Sequence, residues 1–428
     1  MRHGSLLRMH SPAPCVRLLR AIASLAILTI GTETATAQAD GPPSVRFNTH
    51  FEGASLGTIE AVGPDHYRCH VKGQQDEFGR NRQASWYYFR VDGARGRTLK
   101  LVMTDFVGEY NFKPGACPMG PSIVPVISHD GTNWESAASV QWDEQTKEAT
   151  IEVAPERDSI WIAHQPPYTH SMLVKLLKEV DQFADARVEV IGRSVEGRDL
   201  ELVTVTSEGI PDQDKKTVWL QARQHAWESG TSYVMEGALR FVTSNDPVAK
   251  DLRDKVVFKF TPMVDVDGVA NGQIRFNGHG YDVNRHWNEV DLVHKSYLKL
   301  MPEIWYTKKA IISHVDSGRP IDLMVNLHNT ESGEYLQTHA NDDASRTRFT
   351  ALSDQLLKQT TFLPHKGPIF ATTSDSTANA LYGEKRIPIA LMELRIGKSP
   401  KTNLPPTIAD RLTFGANLIR IMAECSLR

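Results

Sequence analysis

The sequence has little cysteine, no surplus of charge and no apolar run of membrane-spanning length. Only 4 of its 428 residues are cysteine. Cys15, Cys69, Cys117 and Cys425 are scattered, which excludes a thiolate metal cluster. Cys69 and Cys117 are the pair to consider if a disulfide forms, although their spacing sets no geometry. A formal net charge of −3, mixed along the chain, gives neither a basic footprint for nucleic acid nor an acidic tail. The apolar run at residues 21–30 is about ten residues long, roughly half of what a bilayer crossing needs. Arg2, Arg8, Arg17 and Arg20 lie before or just at its start, and Ala37-Gln38-Ala39 follow it. That order reads as a secretory signal peptide over residues 1–39. The expectation is an exported protein, periplasmic or secreted, with no permanent membrane anchor.

Turn-separated β-rich runs fill residues 44–162: "SWYYFRVDG", "TLKLVMTDF", "SIVPVISHDG" and "EATIEVAPERDSIWIAH". They carry no helical period and predict an all-β sandwich domain over residues 40–168. Trp86, Phe89 and Trp161 are expected in its core or at a domain boundary. The pattern changes at "SMLVKLLKEVDQF", where Leu173, Leu176, Leu177 and Val180 recur at helical spacing. From there β-rich segments ("LELVTVTS", "TVWLQAR", "VVFKFTPMV", "DLMVNLH", "PIALMELR") alternate with helices expected near 232–243, 290–313 and 344–359. Residues 169–428 should form an α/β domain, a mixed sheet flanked by helices. With no repeat and no low-complexity linker between them, the two domains should pack directly.

Polar residues close several apolar strands, where an open α/β sheet places its ligand groups. His225 and Glu228 follow "TVWLQA"; that spacing alone would equally suit a helix start. His328 ends "IDLMVNLH", and two imidazoles with one carboxylate make the donor set of a catalytic zinc. Arg275, Asn284 and Arg285 cluster in "RFNGHGYDVNR", and guanidinium forks pair with carboxylates. Glu393 ends "IPIALME", where a carboxylate needs a partner or a task.

In this order the motifs resemble the zinc carboxypeptidase family, in particular its cytosolic-carboxypeptidase-like branch, in which a β-sandwich precedes the peptidase domain. The resemblance rests on His225 with Glu228, "PMVDVDG", Arg275, "GYDVNR", His328 and Glu393, and in the first half on "SWYYFRV" and "PPYTHS". It implies one zinc ion held by His225, Glu228 and His328, with Glu393 as general base toward the attacking water. It further implies Arg275 as the oxyanion partner, Asn284 and Arg285 on the substrate's terminal carboxylate, and Asp282 behind the first zinc histidine. The specificity pocket would have its floor near Ala378. The substrate implied is a peptide or protein C-terminus. Two departures stand out: Asp-Val-Asp-Gly replaces the family's Asn-Pro-Asp-Gly turn, and Phe370 falls near the family's mobile tyrosine. Hydrolysis of another amide, in cell-wall peptides or N-acyl amino acids, is the alternative within enzymes. A zinc-retaining binding protein is the alternative outside them.

Overall fold

Alternation of apolar and polar residues builds the first third of the chain. Strand Glu148–Val153 turns Ala149, Ile151 and Val153 inward, and Leu99–Thr104 pairs with it in antiparallel register. The computed structural model describes residues 44–295, 297–371 and 376–428. The expected signal peptide lies outside them.

Two five-stranded sheets and a small four-stranded one form the β region. One runs in the order Arg46–Asn48, Tyr88–Asp92, Ser159–Ala163, Val126–Ser128, Glu135–Ser136. The other runs Ser139–Asp143, Glu148–Val153, Leu99–Thr104, His66–His70, Ile59–Gly63. Pairing is antiparallel except between His66–His70 and Leu99–Thr104. Trp86, Tyr87 and Phe89 are core residues, as their aromatic run suggests, and Trp161 packs half-buried against the same core. Cys69 and Cys117 are both free. Cys69 points into the apolar core, and burial pushes its thiol up to about 12, so it behaves there as a small hydrophobe.

The second half is a mixed eight-stranded sheet. Its centre is four parallel strands in the order Val256–Thr261, Lys216–Gln221, Leu323–Thr330, Ile389–Arg395. Helices cover both faces, so these strands read as continuous apolar runs. Helix His170–Val180 starts at a Thr169 cap and buries Leu173, Leu176, Leu177 and Val180. The helix expected at 290–313 is instead two pieces, Tyr297–Leu300 and Pro302–Asp316: Pro302 lacks an N–H for the preceding turn and starts the longer one. Helices Ser229–Val242 and Ile408–Ser426 approach closely through Gly237 and Gly415, where a Cβ would overlap the facing carbonyls of Leu412 and Val234.

Ser44–Arg428 form one compact unit. The β core extends across the boundary to include Trp227, Ile274 and Ile396 from the second half. Among the described residues no helix is long and apolar enough to cross a membrane.

Candidate active site

The parallel strands end along one edge, and the polar residues that close them meet there. His328 lies in register with Glu393 on the neighbouring strand, and Gln221 pairs with Asn326 across the other side. The chain leaves Gln221 through a turn in which Arg223 takes a left-handed φ of 57°. The buried Arg223 guanidinium donates to the Tyr168 carbonyl at 3.2 Å and Ser232 Oγ at 3.1 Å, tying the turn to its flanks.

Glu228 occupies the cap position of helix Ser229–Val242 but makes no cap hydrogen bond. Its carboxylate turns to the histidines instead. His225 Nδ1 lies 2.8 Å from Glu228 Oε1, and His328 Nδ1 lies 3.1 Å from Oε2. The helix-start reading of this glutamate is therefore set aside for the side chain, though it holds for the backbone.

Donor atoms of His225, Glu228 and His328 all lie within 4.8 Å of one another, and all three residues are buried. Glu228 Oε2 is buried without a hydrogen bond, although His328 Nδ1 stands beside it. Two imidazole nitrogens and a carboxylate converging on one point fit a cation with nitrogen and oxygen ligands. Asp282 Oδ1 stands 3.1 Å from the outer nitrogen of His225, as the support of a metal histidine does. The Asn326 amide is 3.0 Å from His328 Nε2. The same amide donates to Gln224 Oε1 at 2.6 Å and accepts from Gln221 Nε2 at 3.2 Å, so a buried amide network stands behind His328.

Charge balance follows from burial and neighbours. Burial pushes the Glu228 carboxyl up, but the two imidazoles pull it down further, well below the usual carboxylate range. Asp282 likewise sits far down: burial opposes its charge, while Arg275 and His225 favour it. Glu393 goes the other way, pushed up by burial and by the Glu228 and Glu331 carboxylates.

A cavity of about 270 Å³ opens onto this cluster. Arg275, Asn284, Arg285 and Glu393 line it together with the three candidate ligands, so the predicted set meets in one place. Arg275 Nε donates to Asp282 Oδ2 at 2.7 Å, and among the described residues its Nη groups have no hydrogen-bond partner. Thr377 donates to Asn284 Oδ1 from Oγ1 at 2.9 Å, which leaves the Asn284 Nδ2 donor for a ligand.

Two sequence expectations are corrected. Ala378 is 2% exposed within the apolar core and does not line the cavity; Leu391 and Gln337 do, on adjacent antiparallel strands. Phe370 pairs with Thr338 at the sheet edge and packs under the Arg346 guanidinium at 4.4 Å, away from the cavity. Residues 372–375, in the stretch aligned with the family's mobile tyrosine, lie outside the described residues. The tyrosine that does reach the site is Tyr335, in register with Glu393 and with its hydroxyl 3.5 Å from Oε1. Gln83, Ser85 and Pro118 bring the β region into the cavity wall. None of these carried a local sequence signal, because each acts from a separate strand or loop.

Comparison with known proteins agrees with this geometry. Residues 173–350 match the family described as zinc carboxypeptidase, and residues 47–164 match the cytosolic carboxypeptidase N-terminal domain. Human cytosolic carboxypeptidase 2 is 30% identical over 64% of this chain, which spans 32% of that protein's length. An uncharacterized protein of Zymomonas mobilis is 28% identical over 68% of both chains. A metallo-carboxypeptidase structure from Burkholderia cenocepacia superposes with a TM-score of 0.77 over 89% of this chain and 99% of that one, at 22% identity, a likeness of fold. The chain thus carries a zinc carboxypeptidase domain preceded by a cytosolic carboxypeptidase N-terminal domain.

Proposed function

We propose that this protein is a zinc-dependent carboxypeptidase that removes C-terminal residues from peptides or proteins. One observation carries the reading. The His225, Glu228 and His328 donors, the Glu393 carboxylate and the Asn284 and Arg285 donors all face a single cavity.

His225, Glu228 and His328 would hold one zinc ion, which when bound acts as a Lewis acid that acidifies water toward neutrality. Glu393, pushed up by burial, is suited to take a proton from the attacking water and return it to the leaving amine. Arg275 offers its free Nη donors to the oxygen that gains charge as the scissile carbonyl becomes tetrahedral. Asn284 and Arg285 hold the terminal carboxylate, which restricts cleavage to chain ends. Glu393 and Arg275 also weigh against a binding protein that merely retains zinc, since holding the ion needs neither.

The test is hydrolysis of a peptide panel with free and amidated C-termini, before and after chelation and zinc readdition. Release of terminal residues only from free carboxylates, lost on chelation and restored by zinc, is the expected result. Equal turnover of amidated peptides would show an amidohydrolase of another kind. An exported location is a separate proposal supported by the pattern of residues 1–39 alone. A native N-terminus that still includes residues 1–39 would overturn it.

A further inference from the structure

Among the described residues outside the catalytic cluster, Gln74 forms a polar junction that reaches it. Gln74 belongs to the two-residue strand Gln74–Gln75 of a small sheet in the β region. Its side-chain oxygen accepts three consecutive backbone N–H groups, from Ile274 at 3.0 Å, Arg275 at 2.7 Å and Phe276 at 2.9 Å. Its Nε2 donates to the Phe276 carbonyl at 2.6 Å and to Gln273 Oε1 at 3.2 Å. One amide thus satisfies four backbone groups of a three-residue loop that has no strand of its own.

That loop carries Arg275. Its other side is fixed by the metal turn, because the Ile274 carbonyl accepts from Trp227 N at 3.0 Å. Farther along, Glu77 N donates to the Gly280 carbonyl at 3.0 Å, and at Gly280, with φ of 86°, a Cβ would overlap the Glu77 backbone. The β region therefore grips residues 274–280 at two points, and Gln74 is the side chain that does it at Arg275.

We propose that Gln74 is a positioning residue for the reaction: it holds the Arg275 backbone so that the guanidinium meets the developing oxyanion. The proposal rests on the carboxypeptidase reading. Asp282 fixes the Arg275 side chain at Nε, but Nε alone leaves the Cα free to shift. Displacement of a catalytic donor by about 1 Å costs on the order of 100-fold in rate. Because the oxyanion exists only in the transition state, the loss should fall on kcat and leave KM nearly unchanged.

The test uses the full-length zinc enzyme with Gln74→Met, which keeps the length but neither accepts nor donates strongly, and with Gln74→Glu, which keeps the acceptor alone. Gln74→Met is expected to lower kcat about 10- to 100-fold with KM within about threefold, and Gln74→Glu to fall between it and the parent. A phosphinic peptide, mimicking the tetrahedral state, should lose affinity in proportion, whereas a free amino acid product should bind as before. In an Arg275→Ala background both substitutions should change phosphinic affinity less than about twofold, since a residue acting through Arg275 has nothing left to position. Amide hydrogen exchange across residues 274–276 of the metal-free protein should accelerate in Gln74→Met. Undiminished kcat, or losses that persist in the Arg275→Ala background, would overturn the proposal while leaving the carboxypeptidase reading intact. Absence of turnover by the parent enzyme would remove both. If Gln74→Met does not fold, Gln74→Glu is judged by the same comparison with and without Arg275.

Discussion

Asp282 holds Arg275 by a 2.7 Å hydrogen bond from Nε to Oδ2. The other oxygen of the same carboxylate stands 3.1 Å from His225 Nε2, so one side chain aligns a metal ligand and an oxyanion donor together. Asp282→Asn should therefore weaken zinc binding by about 10- to 100-fold and also lower kcat. Competition against a chelator of known affinity measures the first effect and steady-state kinetics the second. Unchanged zinc affinity would mean that His225 is oriented by something else.

Glu393 lines the cavity but lies outside the trio whose donors converge. Glu393→Gln should retain zinc at one ion per chain while kcat falls by about 10²- to 10⁴-fold. Elemental analysis of the same sample used for kinetics checks both halves. Turnover near the parent level would remove Glu393 from the mechanism.

Arg285 donates to the Asn284 carbonyl at 3.0 Å and lines the cavity beside the Asn284 side chain. A charged hydrogen bond to a carboxylate contributes about 1.5–3 kcal/mol, so Arg285→Ala should raise KM about 10- to 100-fold for peptides with a free terminus. kcat should change far less. An unaltered KM would show that the terminal carboxylate is bound elsewhere.

His164 is buried against Tyr87 and Trp227, and neither ring nitrogen has a hydrogen-bond partner. Burial pulls its pKa from 6.5 down to about 4. Between those values the unfolded chain holds the proton and the folded one does not. Stability is thus complete above about pH 6.5 and is lost as pH falls toward 4, by about 3 kcal/mol at most for this group. His164→Phe should flatten that part of the slope, as read from urea midpoints at pH 7 and pH 5. A slope equal to the parent's would place the acid sensitivity elsewhere, His314 being a second buried imidazole held near 4.

Long buried strands were legible because four parallel strands covered on both faces need unbroken apolar sequence, as "VWL" at 218–220 and "IALM" at 389–392 show. The ligand trio and Glu393 were legible because each is a polar residue near the end of such a strand or in the turn that follows one. Tyr335 was not, since its strand is four residues long and only pairing with Ile389–Arg395 places its hydroxyl at Glu393. Gln74 was hidden for another reason: its partners lie about 200 positions away, and no local period records them. The last helix, Ile408–Ser426, did carry a signal, the Thr407 and Asp410 capping box, but no apolar period as regular as that of the first helix drew attention to it. Ala378 and Phe370 lie in a stretch whose resemblance to the family fixes position along the chain but not the direction of a side chain.

Trp227 stands between His225 and Glu228 in sequence, yet its ring belongs to the apolar core of the β region. Gln165 reinforces the joint by donating to the Trp227 carbonyl at 3.2 Å. Ion binding and the docking of the β region therefore act on the same short turn and are thermodynamically linked. By reciprocity, whatever factor docking adds to zinc affinity, zinc returns to docking. Stripping the ion should loosen the seam between the halves before it unfolds either one.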